Sequence, residues 1–236
     1  LIGESFGALV GGGSLLTMPA LLFTGIPLQA AIATDNAAAL GTEAGILSET
    51  YKKVLANKKL TLLMAAPLTL GGIVGTWLLF HVPGGVIKYL MVATITVLVV
   101  HSYFSKGKTD PNAVKRSHYV LMMIFLFLVG AYSNFMAAGE GAFSRFGLMT
   151  ILGLSFMQSQ GIKATATMPS RIYSLIVTGI AGLIIWPYLL TMWCSTFLAG
   201  KYATKLAKHI PDNYMKIALT VVSILFAIYL LFFYKQ

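Results

Sequence analysis

The chain has 236 residues, 57% of them hydrophobic and only 10% charged, with a formal net charge of +10 and a mean hydropathy of +0.81. Soluble domains carry about 25% charged residues, so these values exclude an ordinary soluble protein and indicate an all-α polytopic membrane protein. The basic residues are confined to segments flanking apolar runs, where they act as orientation signals rather than as a nucleic-acid footprint. Cys194 is the only cysteine, so neither a disulfide nor a cysteine metal site is available.

The chain opens on Leu1-Ile2-Gly3-Glu4 with no Met or basic leader; no signal peptide is recognisable, and a start upstream of Leu1 stays open. Gly11-Gly12-Gly13 then interrupts the first apolar segment. Each glycine is poorer than Ala in a helix interior by about 1 kcal/mol, and a break at membrane depth is tolerated only where protein or a wet cavity covers it. The predicted unit is therefore a broken helix, 1–10 and 14–23, whose second piece begins at Gly13 and Ser14 with free backbone N–H groups. Half-helix ends of this kind hold anions in transporters; the plainer alternative is that the glycines admit another helix at close range.

After a Gly25-Ile26-Pro27 turn, a helix is predicted over about 28–51, carrying Thr34-Asp35-Asn36 and Glu43. A basic loop with Lys52, Lys53, Lys58 and Lys59 follows it. Two further spans, about 60–80 and 86–104, are joined by a turn at 81–85 without Lys or Arg. Residues 105–118, with Lys106, Lys108, Lys115, Arg116 and Asp110-Pro111-Asn112, read as a cytoplasmic linker between two transmembrane repeats, 1–104 and 119–236. The second repeat keeps the order. Its broken unit is 119–139 and 142–153, around Ala138-Gly139-Glu140-Gly141. A helix over about 162–185 follows, then an interfacial turn at Trp186-Pro187, a helix ending in Lys201, Lys205 and Lys208, and a last helix over about 213–234. Gly13 maps onto Gly141 and Gly25 onto Gly153 with one displacement of 128 residues, and Ala33-Thr34 maps onto Ala166-Thr167 with a displacement of 133. Two interrupted segments at corresponding places point to a transporter's binding site.

Short cytoplasmic loops are enriched in Lys and Arg. The basic segment follows the 28–51 helix in the first half, yet in the second half the corresponding turn is uncharged and the next one is basic. Both patterns fit if each broken unit enters and leaves on one face and three crossings follow it. The expected fold is thus two inverted-topology repeats, each a re-entrant-like broken unit plus three transmembrane helices.

Gly11–Pro19 followed by Leu21-Leu22, Gly25-Ile26-Pro27, Ala30 and Ala33-Thr34 resembles the sulfite exporter TauE/SafE family. Gly139-x-Gly141-x-Phe143, Lys163-Ala164-Thr165-Ala166 and Phe197-Leu198-Ala199-Gly200 look like that family's second repeat, so the likeness covers nearly the whole chain. The chain departs from the pattern at Asn36 and Pro169, near which many relatives have a Lys. The resemblance implies a permease for small sulfur-containing anions such as sulfite and sulfonates.

An ionisable residue inside a membrane segment is costly and counts as a functional candidate. Asp35, Glu140 and Glu43 are the candidate proton-coupling acids, Glu140 foremost because it lies in the second break. Asp35 has the alternative role of a first-turn acid favoured by the helix dipole, and Glu43 that of a partner for a Lys. Arg145 and Arg171 are the candidate counter-charges, since a planar guanidinium suits a bidentate oxyanion; an Arg145–Glu140 ion pair is the structural alternative. Gly12, Gly13, Ser14, Thr34, Asn36, Gly141, Ser144 and Thr167 complete the expected substrate-binding set, although Ser and Thr also bond their own helix backbone. Lys163 is expected to snorkel to the interface, and Glu4 to be an end-of-chain residue.

No cofactor or metal is implied. His81, His101, His118 and His209 lie at loop edges or helix ends, and no Gly-x-Ser-x-Gly elbow or phosphate loop occurs. The expected protein is a proton-coupled secondary transporter in the bacterial inner membrane. Its partners are a small anion and the bilayer, with homo-oligomerisation open. A passive anion channel, an intramembrane enzyme and a membrane scaffold are the rival readings.

Overall fold

Apolar runs punctuated by glycine become ten α-helices among the residues that the computed structural model describes, 2–104, 116–209 and 212–234. They are α1 (Ile2–Val10), α2 (Ser14–Leu22), α3 (Leu28–Ala56), α4 (Lys58–His81), α5 (Gly84–Phe104), α6 (Arg116–Met136), α7 (Glu140–Ile151), α8 (Phe156–Ile180), α9 (Trp186–Leu206) and α10 (Asp212–Ile228). A π-helical turn, Tyr229–Phe233, continues α10. The described residues contain no strand. Lys106, Lys108, Asp110-Pro111-Asn112 and Lys115 of the expected linker lie outside them.

The surface exposes large apolar side chains, and the interior, though built on apolar clusters, also holds charged ones. Leu62, Leu70, Trp77, Leu128, Leu190 and Phe232 are exposed, while Glu4, Asp35, Glu43, Glu140, Arg145 and Arg171 are buried. That reverses the distribution of a soluble domain and is what a lipid surround requires. Lys58–His81 and Ser117–Met136 are each long and apolar enough to cross a bilayer.

Both interrupted segments are helical hairpins. A Cβ on Gly3 would stand 2.8 Å from Thr17 Cγ2, and one on Gly7 would stand 2.7 Å from Gly13 Cα, so α2 folds back along α1. In the second unit Gly147 of α7 lies against the Phe125 ring of α6. The tips of the two hairpins touch. Ala142 N–H donates to Gly11 O at 3.0 Å. Gly11 has φ +95°, and any Cβ there would strike the Gly141–Ala142 backbone, so only glycine permits this contact. The glycine run therefore does serve close approach, the plainer of the two expectations, and the partner is the other hairpin's turn. That second turn holds Gly139 at φ +77° and Ala137 at φ +62°.

Helix packing exchanges the two halves: α3 packs on α9 and α8 on α4, while α1 packs on α9 and α6 on α4. Along α4 and α6 the contacts advance together, Leu68 on Gly130 and Gly75 on Ala131. They also advance together along α3 and α9. There Trp193 Nε1 donates to Ala37 O at 2.9 Å, and Lys205 pairs with Glu49 at 3.4 Å. Between α3 and α8 they run in opposite senses, from Gly161 on Thr50 to Arg171 on Asn36.

Three boundaries differ from expectation. The basic segment is no loop: α3 continues through Lys52 and Lys53 to Ala56, Asn57 alone intervenes, and α4 opens on Lys58 and Lys59. Lys is a good helix former, and no Gly or Pro interrupts residues 51–60. The hairpin helix α7 begins at Glu140 rather than Ala142, directly after left-handed Gly139. Finally, α8 spans Phe156–Ile180 instead of 162–185. Ser155 caps it in a box with Gln158, and the chain turns through Gly182 at φ +73° before α9.

Candidate functional site

Spacing on α8 builds one side of the interior site. Lys163, Thr167 and Arg171 recur every four residues and so share one helix face. On α3, Asn36 and Glu43 are two turns apart and face them. Arg171 uses its whole fork: Nε donates to Glu43 Oε1 at 2.7 Å, Nη1 to Asn36 Oδ1 at 2.7 Å and Nη2 to Glu140 Oε1 at 2.6 Å. Lys163 Nζ reaches the same Glu140 oxygen at 2.7 Å and Glu43 Oε1 at 3.6 Å. Thr167 adds its hydroxyl to Glu43 Oε1 at 2.5 Å. Two cations and two carboxylates, all buried but the partly buried Lys163, thus form one network that ties α3, α7 and α8 together. Such networks hold only with this degree of satisfaction, because a buried charge stripped of its partner is severely penalised. Glu43 Oε2 is buried without a hydrogen-bond partner among the described residues.

Beside this network lies a cavity of about 40 Å³, room for roughly two or three waters. It sits where the two hairpin tips meet. Its charged lining is Glu4, Glu43 and Glu140 against Arg145, Lys163 and Arg171, with Gly13, Ser14, Gly141 and Gln160. Arg145 is anchored across the tips, Nη1 donating to Leu9 O at 2.8 Å. At the other hairpin, Ser14 Oγ donates to Asp35 Oδ2 at 2.5 Å and Thr17 Oγ1 donates to Asp35 Oδ1, so Asp35 ties α2 to α3. Glu4 Oε2 accepts from Thr42 Oγ1 at 2.5 Å.

The candidate residues therefore separate into groups. Gly13, Ser14, Gly141, Glu43, Glu140, Arg145 and Arg171 line the cavity directly. Asn36, Thr167 and Ser144 stand behind it, Ser144 Oγ donating to Glu140 O at 3.0 Å, and Asp35 stands behind Ser14. Thr34 makes a different contact, accepting from Ile185 N–H at 3.1 Å. Gly12 is buried in the first turn, where its carbonyl accepts from Leu15 N–H at 3.0 Å. The Ala142 amide, next to Gly141, is engaged by Gly11 O. Ion-pair partners of Glu140 are Lys163 and Arg171.

Lys163 overturns its expected snorkelling. Because α8 starts at Phe156, Lys163 lies two turns inside the helix, and its side chain is 12% exposed. The signal that could have found it is the four-residue repeat with Thr167 and Arg171. Glu4, expected as an end-of-chain residue, is 4% exposed at the cavity wall; an acid inside an otherwise apolar helix with Gly3 and Gly7 beside it was the available clue. Gln160 escaped notice altogether. Its Nε2 donates to Ala8 O at 2.8 Å and Thr204 Oγ1 at 2.9 Å.

Comparison with known proteins accords with this geometry. The family model described as "Sulfite exporter TauE/SafE" matches residues 1–230. A probable membrane transporter protein of Sinorhizobium sp is 26% identical over 225 residues, covering 95% of this chain and 86% of that one. One from Haemophilus influenzae is 24% identical over 84% of this chain and 78% of its own. The probable membrane transporter protein YfcA of Escherichia coli K12 is 25% identical over 95% and 84% respectively. No solved structure matches. These relatives are named as membrane transporters and not as enzymes, and the match to the family model runs through both hairpins and the interior charge network: the chain belongs to the sulfite exporter TauE/SafE family.

Proposed function

We propose that the protein is a secondary transporter of the cell membrane, multi-pass in a bacterial inner membrane, that moves a small sulfur oxyanion, sulfite or an organosulfonate, together with a proton. The observation that carries this reading is the convergence of Arg145, Lys163 and Arg171 on one interior cavity at the contact of two hairpin tips. Guanidinium forks match the paired oxygens of such anions. The family description and the names of the relatives support transport of this class. In the structure the fork of Arg171 is occupied by Glu43, Asn36 and Glu140. An arriving anion competes with those carboxylates, so protonation of a cavity acid and anion binding favour each other. Gly13, Ser14 and Gly141 supply the nearby backbone, and the hairpins part to admit more than the waters the cavity holds.

The same reading includes inverted repeats. In its support, each hairpin is followed by three helices, α3 and α8 run antiparallel, and the packing partners exchange between halves. The basic ends of α3, α4 and α9 share one end of the molecule, as the Glu49–Lys205 pair requires, and that end is assigned to the cytoplasm. In a Cys194→Ser background, single cysteines at Lys53 and Lys205 should both resist an impermeant thiol reagent in intact cells; labelling of only one removes the inversion.

Uptake of labelled sulfite, organosulfonates and sulfate into proteoliposomes, with and without a pH gradient, tests the function. Driven accumulation is expected; ungated flux indicates a channel, and no flux a scaffold. Arg145→Lys and Arg171→Lys keep the charge but lose the fork, so each should weaken the apparent affinity about tenfold. Unchanged affinity in both would remove the anion from this cavity.

A further inference from the structure

We infer that Glu4 is the carboxyl that carries the coupled proton, so that one proton accompanies one monovalent anion through the cavity; this rests on the transport reading above. Three acids line the cavity, and they are not equivalent. Glu43 and Glu140 each contact both Lys163 and Arg171. Glu4 has no ion-pair partner among the described residues. Its one hydrogen bond there is the Thr42 hydroxyl on Oε2, and Oε1 is left toward the cavity wall. The residue is 4% exposed and lies flat against the first hairpin turn, where a Cβ on Gly13 would stand 3.0 Å from Oε1.

The charged groups around Glu4 come from three helices. From α3 they are Glu43 and, behind Ser14, Asp35. From α7 they are Glu140 and Arg145, and from α8 Lys163 and Arg171. The cations of α8 are engaged by Glu43 and Glu140, so an ionised Glu4 would be a buried charge without its own counter-ion, the costly case. A proton on Oε1 removes that cost.

Charge balance then sets the stoichiometry. With Glu4 ionised, three acids and three bases line the cavity and its net charge is zero. With Glu4 protonated the lining is one positive charge in excess, which a monoanion neutralises. Asp35, with both oxygens held by Ser14 and Thr17, contributes the same charge to both states and leaves the difference between them unchanged. Proton and anion therefore stabilise each other's binding reciprocally. No bond is made or broken beyond the O–H on Glu4; the proton arrives from one aqueous face and leaves to the other with the anion.

The experiment uses the full chain in proteoliposomes with labelled methanesulfonate and, in parallel, labelled sulfite. Wild type should concentrate methanesulfonate about tenfold per unit of pH difference, taking up one proton per anion by an internal pH dye. Glu4→Gln should keep exchange between equal pools, lose accumulation driven by pH, and respond instead to a potassium diffusion potential. Glu49→Gln, which removes a carboxylate paired with Lys205 away from the cavity, should keep accumulation driven by pH. Accumulation by Glu4→Gln equal to wild type, or wild-type anion flux without proton uptake, overturns the role of Glu4 while leaving transport standing. The dye measurement needs no variant, so a misfolded Glu4→Gln protein does not shelter the idea. Absence of any flux of either anion by wild type overturns the transport reading itself, and this inference with it.

Discussion

Helices α3 and α8 each follow a hairpin and each send a polar stripe into the interior, yet the stripes carry opposite charge. On α3 they are Asp35 and Glu43; on α8 they are Lys163 and Arg171. Because the two helices run antiparallel, the stripes meet at mid-length, and Arg171 joins Glu43 at 2.7 Å. The hairpin tips divide in the same way. The first is flanked by Glu4 and Asp35, held by hydroxyls from Thr42, Ser14 and Thr17. The second carries Glu140 between Lys163 and Arg171. The interior cations Lys163 and Arg171 thus come from one half of the chain, and the acids Glu4, Asp35 and Glu43 from the other. On the transport reading proposed above, attraction and release of the anion would be governed by different helices.

The comparison is broken most directly at Arg171. Arg171→Ala leaves Glu43 and Glu140 buried with only Lys163 between them, and should cost about 3–5 kcal/mol of stability, read by denaturant unfolding in detergent. A loss below about 1 kcal/mol would mean that the stripes do not hold the halves together. Next in size is the tip contact. Gly11→Ala forces a Cβ into the Gly141–Ala142 backbone at φ +95°, and should cost about 2–4 kcal/mol in the same unfolding assay and slow uptake. Wild-type stability in that variant would show the tips to be free of one another. The smallest effect sharpens the contrast between interior and rim. Lys205 pairs with Glu49 across α3 and α9, but its side chain is 52% exposed, so Lys205→Ala should change stability by less than about 1 kcal/mol.

Much of the site was legible in the sequence. Asp35, Glu43, Glu140, Arg145 and Arg171 stood out because a charge in an apolar run is expensive wherever the run goes. Lys163 and Glu4 did not, since each lay near an expected helix end. Moving the start of α8 back to Ser155 places Lys163 two turns inside the helix, and the Ser155-x-x-Gln158 signature was there to be read. For Glu4 the clue was weaker, an acid in an apolar helix beside Gly3 and Gly7, because its burial depends on α2 folding back over α1.

By itself, the amino-acid sequence determined the membrane class, the two glycine interruptions and their 128-residue correspondence, and the presence of ionisable residues within the apolar runs. These follow from composition, helix propensity and periodicity, which are local. The tertiary structure decided who pairs with whom. Glu43 meets Thr167 and Arg171 across 124 and 128 positions, and Gly11 meets Ala142 because two turns abut. Those contacts depend on how α3 crosses α8 and how far each hairpin reaches, and no local preference of the chain encodes either distance.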